Sequence, residues 1–593
     1  MPSINGDPMG PAQGPLRGCH ENRRSVPAKR GRVRSAEPGR IDAKGAPQSR
    51  AGAALTRVSA VEEVGPWPSL PRELEGLLRP SAYPYPLEHV ELLETQLSWV
   101  LLAGERVYKL KRPVQYPFVD QRLLPRRAWL CHEEVRLNRR FAPQLYLGVC
   151  PITAGQDGAC IGGTGPVLDY AVVMRAFDRR EQLDQLILGK RLEAGEIERL
   201  GSLLARTHRQ LPRQELPAGP SAAQSPCAAL AQNARECVVA ARPFGTSRRC
   251  AAVAERLASE CERRVEVLRW RAEAGCIREC HADLHLSNVV RIGGALQPYD
   301  CLEFDPALRW IDTALDIAFL YADLLGYGEA GIAARFLNAY LSASGDYHAN
   351  AVLPLYAADR ALVRAKVMAL QISGAHGPLT VGGQLLRRRH ERYLAVAEEA
   401  LRPRGGRCLL MTGLPGSGKS WLAARLVEPL GAVVLRSDVE RKRLAGLEPL
   451  DHSPSAAAQG LYRPEFTAQV YERLAQCAAE VLAGGRDVIV DANFGKRQQR
   501  HRLAELCRRL SVPLTVVQCE APWPVLQQRI AARRGGEGDA SDADLAVLER
   551  QRAAREPITG DEDLRIVALD TTREDAAVHL LERLTRPDDG LRE

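Results

Sequence analysis

The 593-residue sequence contains no stretch of about 20 apolar residues, which is the length that a helix needs to cross a lipid bilayer. An apolar run of the kind found in signal peptides is also missing near its N-terminal end. The 15 cysteines include no Cys-x-x-Cys pair, which argues against zinc ligands or a disulfide framework and favours reduced, mostly buried thiols. We therefore expect a cytoplasmic protein without a membrane-spanning segment.

Basic residues are concentrated at the N-terminal end of the chain. The formal net charge is +9, and residues 1–60 contain 11 Lys and Arg but only four Asp and Glu. The segment is rich in Pro, Gly and Ala and has no helical or strand periodicity, so we predict a disordered basic tail over residues 1–65. The tail is either a solvated extension or an arm for nucleic acid or another anionic surface. Nucleic acid has weak support as a partner, because the rest of the chain is nearly neutral.

The order of strand-like and helical runs divides the remaining chain into two domains. Strand-like runs come first and helical sequence follows, which predicts a small β-rich lobe before a larger helical lobe over residues 66–402. The predicted strands are Ser98–Leu102, Arg106–Lys111, Leu145–Val149 and Val167–Met174, and Ala128–Phe141 is a predicted helix. After the linker-like Pro403-Arg-Gly-Gly406, short β-rich runs alternate with helices. Residues 403–593 are therefore predicted to form an α/β domain with a parallel sheet.

The motif Gly413-Leu-Pro-Gly-Ser-Gly-Lys-Ser420 lies between a predicted strand and a predicted helix, which is the context of an ATP-binding P-loop. In such a loop, backbone N–H groups surround a phosphate, the lysine contacts the β- and γ-phosphates, and the serine hydroxyl binds Mg²⁺. We therefore predict ATP and Mg²⁺ as cofactors, with Ser420 as a metal ligand. The predicted ATP-binding residues are Gly413, Pro415, Gly416, Ser417, Gly418, Lys419 and Ser420.

Three charged residues follow later strand-like runs of this domain. Asp491 ends an apolar run, where a carboxylate either binds a metal ion or caps a helix. Asp438 and Arg441 follow another run, and loops at the carboxyl ends of parallel strands line the ligand crevice. There Asp438 suits a base for an acceptor hydroxyl, and Arg441 suits a clamp for an anionic acceptor. A surface ion pair is the alternative interpretation.

Arg529, Arg533 and Arg534 lie on a predicted helix beside the flexible pair Gly535-Gly536. Arginines on a lid neutralise charge during phosphoryl transfer, which is one interpretation of this run. The alternative is a solvated basic face of a helix.

Residues 407 to about 570 resemble the P-loop kinases grouped with phage polynucleotide kinase and zeta toxins. The resemblance is carried by the P-loop, by Leu435-Arg-Ser-Asp438-Val-Glu-Arg441, by Asp491-Ala-Asn493 and by the arginine run. It implies that Asp438 is the catalytic base and that Arg441 binds an acceptor phosphate. It also implies that Arg529 and Arg533 contact ATP.

The segment His281-Ala-Asp-Leu-His-Leu-Ser-Asn288 has the spacing of a kinase catalytic loop, with Asp283 five residues before Asn288. An aspartate in this position accepts the proton of a substrate hydroxyl, and the asparagine binds Mg²⁺. Asp300 follows a strand-like run and is placed like the second metal-binding aspartate of such kinases. The segment therefore predicts a second site for phosphoryl transfer.

The region from about Glu91 to Leu325 resembles the aminoglycoside phosphotransferase family, whose pattern is His-Gly-Asp-x-His-x-x-Asn followed by Ile-Asp. The resemblance implies that Lys109 contacts the ATP phosphates, with Glu134 as its partner on a helix. Lys111 lies on the same face of the strand and is a rival for this role. The sequence departs from the family pattern in two ways: Ala282 replaces the usual glycine, and no glycine-rich phosphate loop is recognisable.

The complete order of domains resembles bacterial proteins described as bifunctional phosphotransferase and ATP-binding proteins. This resemblance implies two kinase-type domains, each of which transfers the γ-phosphate of ATP to a hydroxyl group of a small-molecule or nucleotide acceptor. The alternative is one active P-loop kinase, of a type that acts on nucleic-acid ends or as a toxin, beside a kinase-like domain that senses a ligand without catalysis.

Overall fold

The computed structural model describes residues 69–116, 119–193, 195–214, 226–374, 380–448, 461, 463–533 and 544–585. These residues belong to one compact unit that comprises residues 62–593. The basic tail predicted for residues 1–65 lies outside the described residues. None of the described helices is both long enough and apolar enough to cross a membrane.

The first part of the described chain contains a six-stranded antiparallel sheet with the order β1-β2-β3-β8-β6-β7. Its strands are β1 Glu91–Glu94, β2 Ser98–Ala103, β3 Arg106–Lys111, β6 Tyr146–Gly155, β7 Gly158–Ile161 and β8 Val167–Arg175, and the short pair β4 Gln115–Tyr116 and β5 Val119–Asp120 lies apart. Helix α1, Leu124–Asn138, packs against the sheet. The four predicted strands and the predicted helix are confirmed, with ends that shift by a few residues.

A helical lobe follows the antiparallel sheet. Its helices are α2 Leu183–Leu188, α3 Glu196–Gln210, α4 Pro226–Ala240, α5 Ser247–Arg263, α6 Val265–Glu273, α7 Pro306–Arg309, α8 Thr313–Tyr327, α9 Ala330–Ser344, α10 Leu353–Gly374 and α11 Val381–Ala400. Two small antiparallel pairs join β9 Ile277–Glu279 to β12 Trp310–Asp312 and β10 Val289–Ile292 to β11 Ala295–Pro298. Helix α8 is buried on nearly all sides, which agrees with its almost continuous apolar sequence.

The C-terminal part contains a five-stranded parallel sheet with the order β14-β15-β13-β16-β17. Its strands are β13 Cys408–Thr412, β14 Val433–Arg436, β15 Val488–Asp491, β16 Leu514–Glu520 and β17 Arg565–Asp570. The helices are α12 Lys419–Leu430, α13 Ser437–Leu444, α14 Pro464–Ala483, α15 Arg497–Arg509, α16 Trp523–Arg533, α17 Leu545–Ala553 and α18 Ala576–Thr585. The predicted parallel sheet is confirmed, and its carboxyl ends meet at one edge.

The chain therefore folds as a protein-kinase-like α+β domain followed by an α/β P-loop domain. A single apolar core continues from one domain into the other. Leu353 and Leu355 of α10 belong to the same buried cluster as Val433 and Leu435 of β14 and Val470 of α14. The described part of the protein is thus held together by apolar packing across the two domains.

One pair of cysteines corrects the expectation of reduced thiols. Cys227 on α4 and Cys261 on α5 form a disulfide, with their Cα atoms 5.8 Å apart. The 34-residue separation in sequence does not reveal that the two helices pack side by side, and this packing brings the two sulfurs together. The other cysteines of the described chain are free thiols, nine of which are buried.

Candidate active sites

The loop Gly413–Ser420 lies between β13 and α12 and curls tightly at its glycines. Gly416 and Gly418 have φ angles of +82° and +80°, a region that side chains disfavour. A Cβ atom on Gly418 would lie 2.8 Å from Thr571 Oγ1, and one on Gly416 would lie 2.9 Å from the carbonyl oxygen of Leu526. The backbone can take this path only without side chains, and its N–H groups adjoin the N-terminal end of α12, where anions bind favourably.

The Lys419 side chain connects the two ends of the loop, whereas the Ser417 hydroxyl makes no hydrogen bond with the described residues. The Lys419 ammonium donates hydrogen bonds to the carbonyl oxygens of Gly413 and Leu414, at 2.9 and 3.0 Å. The Ser417 hydroxyl is buried and has no hydrogen-bond partner among the described residues. A loop that has no Cβ atoms at its three glycines and a buried hydroxyl left unsatisfied among the described residues fits a bound phosphate chain.

Ser420 and Asp491 come together at the carboxyl edge of the parallel sheet. The Ser420 hydroxyl donates a hydrogen bond to Asp491 Oδ2 at 2.6 Å. Asp491 is the last residue of β15 and is 5% exposed. A hydroxyl and a carboxylate in contact supply oxygen ligands of the kind that Mg²⁺ prefers. The pair therefore fits the predicted metal ion.

A cavity of about 860 Å³ opens beside the loop. Its walls come from the P-loop, from the residues that follow β14 and β15, and from helices α14, α15 and α17. Among the predicted site residues, Pro415, Gly416, Gly418, Lys419, Ser420, Asp438, Arg441 and Asp491 line the cavity. Gly413 and Ser417 lie in the same loop but are not part of the lining.

Asp438 and Arg441 lie on the first two turns of α13 and both face the cavity. They are three residues apart, which puts them on one side of a helix. Arg441 is only 7% exposed and donates a 2.7 Å hydrogen bond to the carbonyl oxygen of Leu461. The Asp438 carboxylate is half-buried and makes no hydrogen bond or ion pair with any described residue. It is thus open to a ligand in the cavity.

Arg529 on α16 lies against the outside of the P-loop rather than in the cavity lining. Its guanidinium donates hydrogen bonds to the carbonyl oxygens of Gly416 and Thr571, both at 3.1 Å. Arg533 ends the same helix, and only its backbone is described. Arg534 and the glycine pair at residues 535 and 536 lie outside the described residues.

Two further residues help to build this site: Thr571, which the sequence did not indicate, and Asn493, which it indicated only as part of a motif. The Thr571 hydroxyl donates a 2.6 Å hydrogen bond to the carbonyl oxygen of Ser417 and thereby ties the end of β17 to the P-loop. Asn493 lines the cavity, and its backbone carbonyl accepts a 2.8 Å hydrogen bond from Thr412. Recognition of β17 as a strand of the parallel sheet would have pointed to Thr571.

In the kinase-like domain, helix α8 supports the loop His281–Asn288 through hydrogen bonds. The two carboxylate oxygens of Asp316 accept hydrogen bonds from the backbone N–H groups of His281 and Ala282, at 3.2 and 2.7 Å. The Asn288 amide donates to Asp283 Oδ2 at 3.1 Å. The loop therefore brings the predicted base and the predicted metal ligand into contact on a buried support.

Lys109 and Lys111 both bind Glu134, so this carboxylate bridges the two rival lysines. Lys109 Nζ lies 3.0 Å from Glu134 Oε1 and 2.6 Å from Asp300 Oδ1. Lys111 Nζ lies 2.5 Å from Glu134 Oε2 and 2.5 Å from Glu303 Oε1. The Lys109 side chain is 16% exposed and that of Lys111 only 1%. Lys109 is thus the lysine that contacts the predicted metal-binding aspartate, and it is the more exposed of the two.

Burial and neighbouring charges shift the pKa values of the groups in this cluster. Burial favours the neutral form of Lys109, but the neighbouring Asp300 and Glu134 carboxylates outweigh burial and raise its pKa. Burial raises the pKa of Asp300 while Lys109 lowers it, and the net direction is downward. Burial raises the pKa of Glu303. The pair of Lys109 and Asp300 is therefore ionised at neutral pH.

Two non-glycine residues of this site have left-handed backbones. Ala282 has a φ of +70° and Asp300 a φ of +63°. Such conformations cost an L-residue about 1–2 kcal/mol and cluster at functional sites. The usual glycine of the related pattern would take the conformation of Ala282 without this strain.

The turn between β1 and β2 occupies the position where kinases carry a glycine-rich loop. It is a tight hairpin in which the Thr95 N–H donates to the Ser98 carbonyl at 2.9 Å and the Ser98 N–H donates to Thr95 Oγ1 at 3.0 Å. No glycine occurs in this turn.

Comparison with known proteins gives matches for both parts of the chain. The family described as "AAA domain" matches residues 409–558. Uncharacterized protein Rv2004c of Mycobacterium tuberculosis is 30% identical over 468 residues, which cover 78% of this chain and 90% of that protein. The choline/ethanolamine kinase family protein from Mesorhizobium loti is 14% identical, with 55% of this chain and 98% of that chain covered and a TM-score of 0.30. A gluconokinase from Sinorhizobium meliloti is 22% identical, with 31% and 97% covered and a TM-score of 0.21.

Proposed function

The chain belongs to the same protein family as the uncharacterized mycobacterial protein, and we propose that it is an ATP-dependent phosphotransferase with two kinase-type domains. Each domain would transfer the γ-phosphoryl group of ATP to a hydroxyl oxygen of an acceptor: the bond between the γ-phosphorus and the bridging oxygen breaks, ADP leaves, and the hydroxyl proton passes to an aspartate. The observation that carries the proposal is the arrangement around the cavity of the P-loop domain. The Ser420–Asp491 pair, Lys419 and the open carboxylate of Asp438 all face one volume of about 860 Å³. We also propose the segments 1–65, 66–402 and 403–593 as tail and domains.

In the P-loop domain, ATP supplies the phosphoryl group when it is bound, and Mg²⁺ offsets its charge. Ser420 and Asp491 would hold the metal ion, and Lys419 would leave the carbonyl oxygens of Gly413 and Leu414 to bind phosphate oxygens. Asp438 binds the acceptor hydroxyl and takes its proton, because this carboxylate has no other partner among the described residues. Arg529 supports the P-loop backbone from outside.

The lining of the cavity favours an anionic acceptor. Six of the lining residues are Lys or Arg and three are Asp or Glu, and two of those acids have roles in metal binding and proton transfer in this proposal. Arg441, which is nearly buried, is the basic residue nearest to Asp438 along the helix. A guanidinium in this position binds a carboxylate or phosphate in a defined orientation. We therefore expect a hydroxylated acid or a phosphorylated acceptor.

In the kinase-like domain, Asp283 is the proposed base, Asn288 and Asp300 the proposed metal ligands, and Lys109 the proposed phosphate-binding lysine. The oxygen donors and the ionised lysine fit Mg²⁺ and ATP, since Asp283 and Asp300 side chains are 42% and 40% exposed. The glycine-free hairpin at Thr95–Ser98 is the observation that favours the alternative, a ligand-sensing domain without catalysis. Such a turn offers fewer free N–H groups to a phosphate than a glycine-rich loop does.

Magnesium-dependent ATP turnover by the full chain tests the proposal. Wild type, Lys419→Ala and Asp283→Asn are compared with sugars, sugar acids, sugar phosphates, aminoglycosides, nucleosides and 5′-hydroxyl oligonucleotides as acceptors. We expect each substitution to abolish turnover with a different acceptor. Turnover that depends on Lys419 alone supports the sensing alternative for the kinase-like domain. Absence of acceptor-stimulated turnover in the wild type with every compound would refute the proposal for both domains.

A further inference from the structure

The contact between Tyr347 and Glu440 joins the kinase-like domain to the helix that carries Asp438 and Arg441. We propose that Tyr347 is a positioning residue for the P-loop site, which fixes helix α13 through the carboxylate of Glu440. The inference rests on the proposed function of the P-loop domain. It adds that the acceptor side of this site is built in part by the other domain.

Glu440 is buried on the side of α13 that faces away from the cavity. Its side chain is completely buried, and Glu440 Oε1 accepts a 3.0 Å hydrogen bond from the Tyr347 hydroxyl. Arg443 Nε lies 3.3 Å from both carboxylate oxygens, and Arg473 Nε lies 3.6 Å from Oε2. A buried carboxylate needs such partners, because an unpaired one carries a large desolvation penalty. Its position is therefore determined by the groups around it.

Helix α13 depends on these contacts for its orientation. It has eight residues, and isolated helices of this length are not stable in water. Glu440 lies between Asp438 and Arg441 in sequence but about 100° or more around the helix from each of them. A rotation or shift of α13 that frees Glu440 therefore moves both cavity-facing side chains.

Further contacts connect the same helix to the end of α9. The Arg443 guanidinium donates hydrogen bonds to the carbonyl oxygens of Ser342 and Ala343. A Cβ atom on Gly345 would lie 2.8 Å from the guanidinium of Arg443. The residues 342–347 of the kinase-like domain thus form the wall on which α13 rests.

Tyr347 is itself fixed to the support of the kinase catalytic loop. Its neighbour Asp346 binds both terminal nitrogens of Arg271 at 2.8 Å, and Arg271 binds Asp312 through two hydrogen bonds of 2.7 and 2.8 Å. Asp312 caps the N-terminal end of α8, the helix that carries Asp316. Arg271 and Asp312 are buried and the Asp346 side chain is 21% exposed, so most of this chain of ion pairs lies inside the protein and restrains the segment that carries Tyr347.

The variant Tyr347→Phe tests the positioning role, because it removes the hydroxyl and keeps the ring. All proteins carry Asp283→Asn, so that turnover reports on the P-loop site. Tyr393→Phe is the matched control, since the Tyr393 hydroxyl also donates to a buried carboxylate, that of Asp323, within the kinase-like domain. Hydrogen exchange of the α13 amides is measured together with kcat and KM for ATP.

We expect Tyr347→Phe to accelerate exchange of the α13 amides and to lower kcat about 10- to 100-fold, with KM for ATP within about twofold of the parent. The control is expected to change neither quantity. Glu440→Gln keeps an oxygen that can accept from the Tyr347 hydroxyl but loses the charge that pairs with Arg443 and Arg473. It is therefore expected to accelerate exchange of the α13 amides at least as much as Tyr347→Phe does.

Unchanged exchange of α13 in Tyr347→Phe overturns the proposal whatever the activity is. Accelerated exchange with an unchanged kcat also overturns it, because the helix would then move without consequence for transfer. If the parent shows no turnover with any acceptor, the proposed function fails, and the contact is judged by exchange alone: faster exchange in Tyr347→Phe but not in Tyr393→Phe supports it.

Discussion

The hydroxyl of Ser420 lies 2.6 Å from Oδ2 of Asp491 and donates a hydrogen bond to it. The two residues are 71 positions apart in sequence and meet because β13 and β15 are neighbours in the parallel sheet. A pair of oxygen ligands, one in the first turn of α12 and one at the end of β15, is preorganised for a metal ion, and its charge depends on Asp491 alone.

Asp491→Asn is expected to weaken Mg²⁺ binding at the P-loop site. The amide keeps the shape of the carboxylate and removes its charge, so the Mg²⁺ concentration for half-maximal ATP turnover rises about 10- to 100-fold. Titration of turnover with Mg²⁺ measures the change. Asp487→Asn is the control, because Asp487 pairs with Arg407 at the opposite end of β15. Equal Mg²⁺ requirements in the two variants would contradict the metal role.

Lys111→Met is expected to destabilise the protein more than Lys109→Met. Loss of the Lys111 ammonium leaves Glu134 and Glu303 buried with one fewer positive partner, which costs about 3–5 kcal/mol of unfolding free energy. After loss of Lys109, Glu134 keeps Lys111, and Asp300 is partly exposed, so the cost is smaller. Urea denaturation of the two variants gives the comparison. The reverse ranking in stability would contradict the roles given to these buried ion pairs.

ATP binding by the kinase-like domain is expected to fail in Lys109→Met. The binding is measured in a Lys419→Ala background.

Ala282→Gly is expected to stabilise the protein by up to about 1 kcal/mol. The left-handed backbone of Ala282 costs about 1–2 kcal/mol, and glycine loses only part of this gain through its more flexible unfolded chain. The N–H group that donates to Asp316 is retained. Ala318→Gly in the interior of α8 is the control and is expected to cost at least about 1 kcal/mol. A loss of stability in Ala282→Gly, measured by thermal unfolding, would argue against strain at this position.

His281 is expected to make stability sensitive to acid. Burial lowers its pKa below the ordinary 6.5, and the N–H of Asp283 donates to its Nδ1 while Nε2 donates to the Tyr299 carbonyl, an arrangement that suits only the neutral ring. The unfolded chain therefore binds more protons than the folded chain below about pH 6.5, so this contribution to stability is present above that pH and is lost as the pH falls.

The comparison of wild type with His281→Gln isolates this effect. The unfolding free energy of the wild type is expected to decrease more between pH 7.5 and 5.5 than that of the variant, which has no titrating ring. Urea denaturation at the two pH values provides the measurement. Parallel pH dependence in both proteins would mean that His281 is protonated, or free to titrate, in the folded state.

Strands with strong apolar patterns could be predicted from the sequence, whereas contacts between distant segments could not. The run Arg106–Lys111 was found because it alternates and is bounded by turn residues. Strand β17 was not predicted, although it is as long as Arg106–Lys111, because it lies at an edge of the sheet and buries only Val567 and Leu569. The disulfide between Cys227 and Cys261 could not be predicted either, because periodicity carries no information on which helices pack together.

In the candidate sites, too, local spacing predicted some residues, whereas contacts between distant segments could not be predicted. Local spacing sufficed to select Asp283 and Asn288, which the fold brings into contact. The sequence alone could not distinguish Lys109 from Lys111, because both lie on one face of β3, and in the structure both bind Glu134. Glu440 stands in the motif that carries the resemblance, but the sequence does not indicate its partner, because Tyr347 is 93 residues away.

The apolar core that joins α10 to β14 and α14 has a consequence for any attempt to separate the two domains. A chain cut between the domains would uncover large aliphatic surfaces on both fragments, and such surfaces promote aggregation. Neither fragment is therefore expected to stay in solution when it is expressed alone.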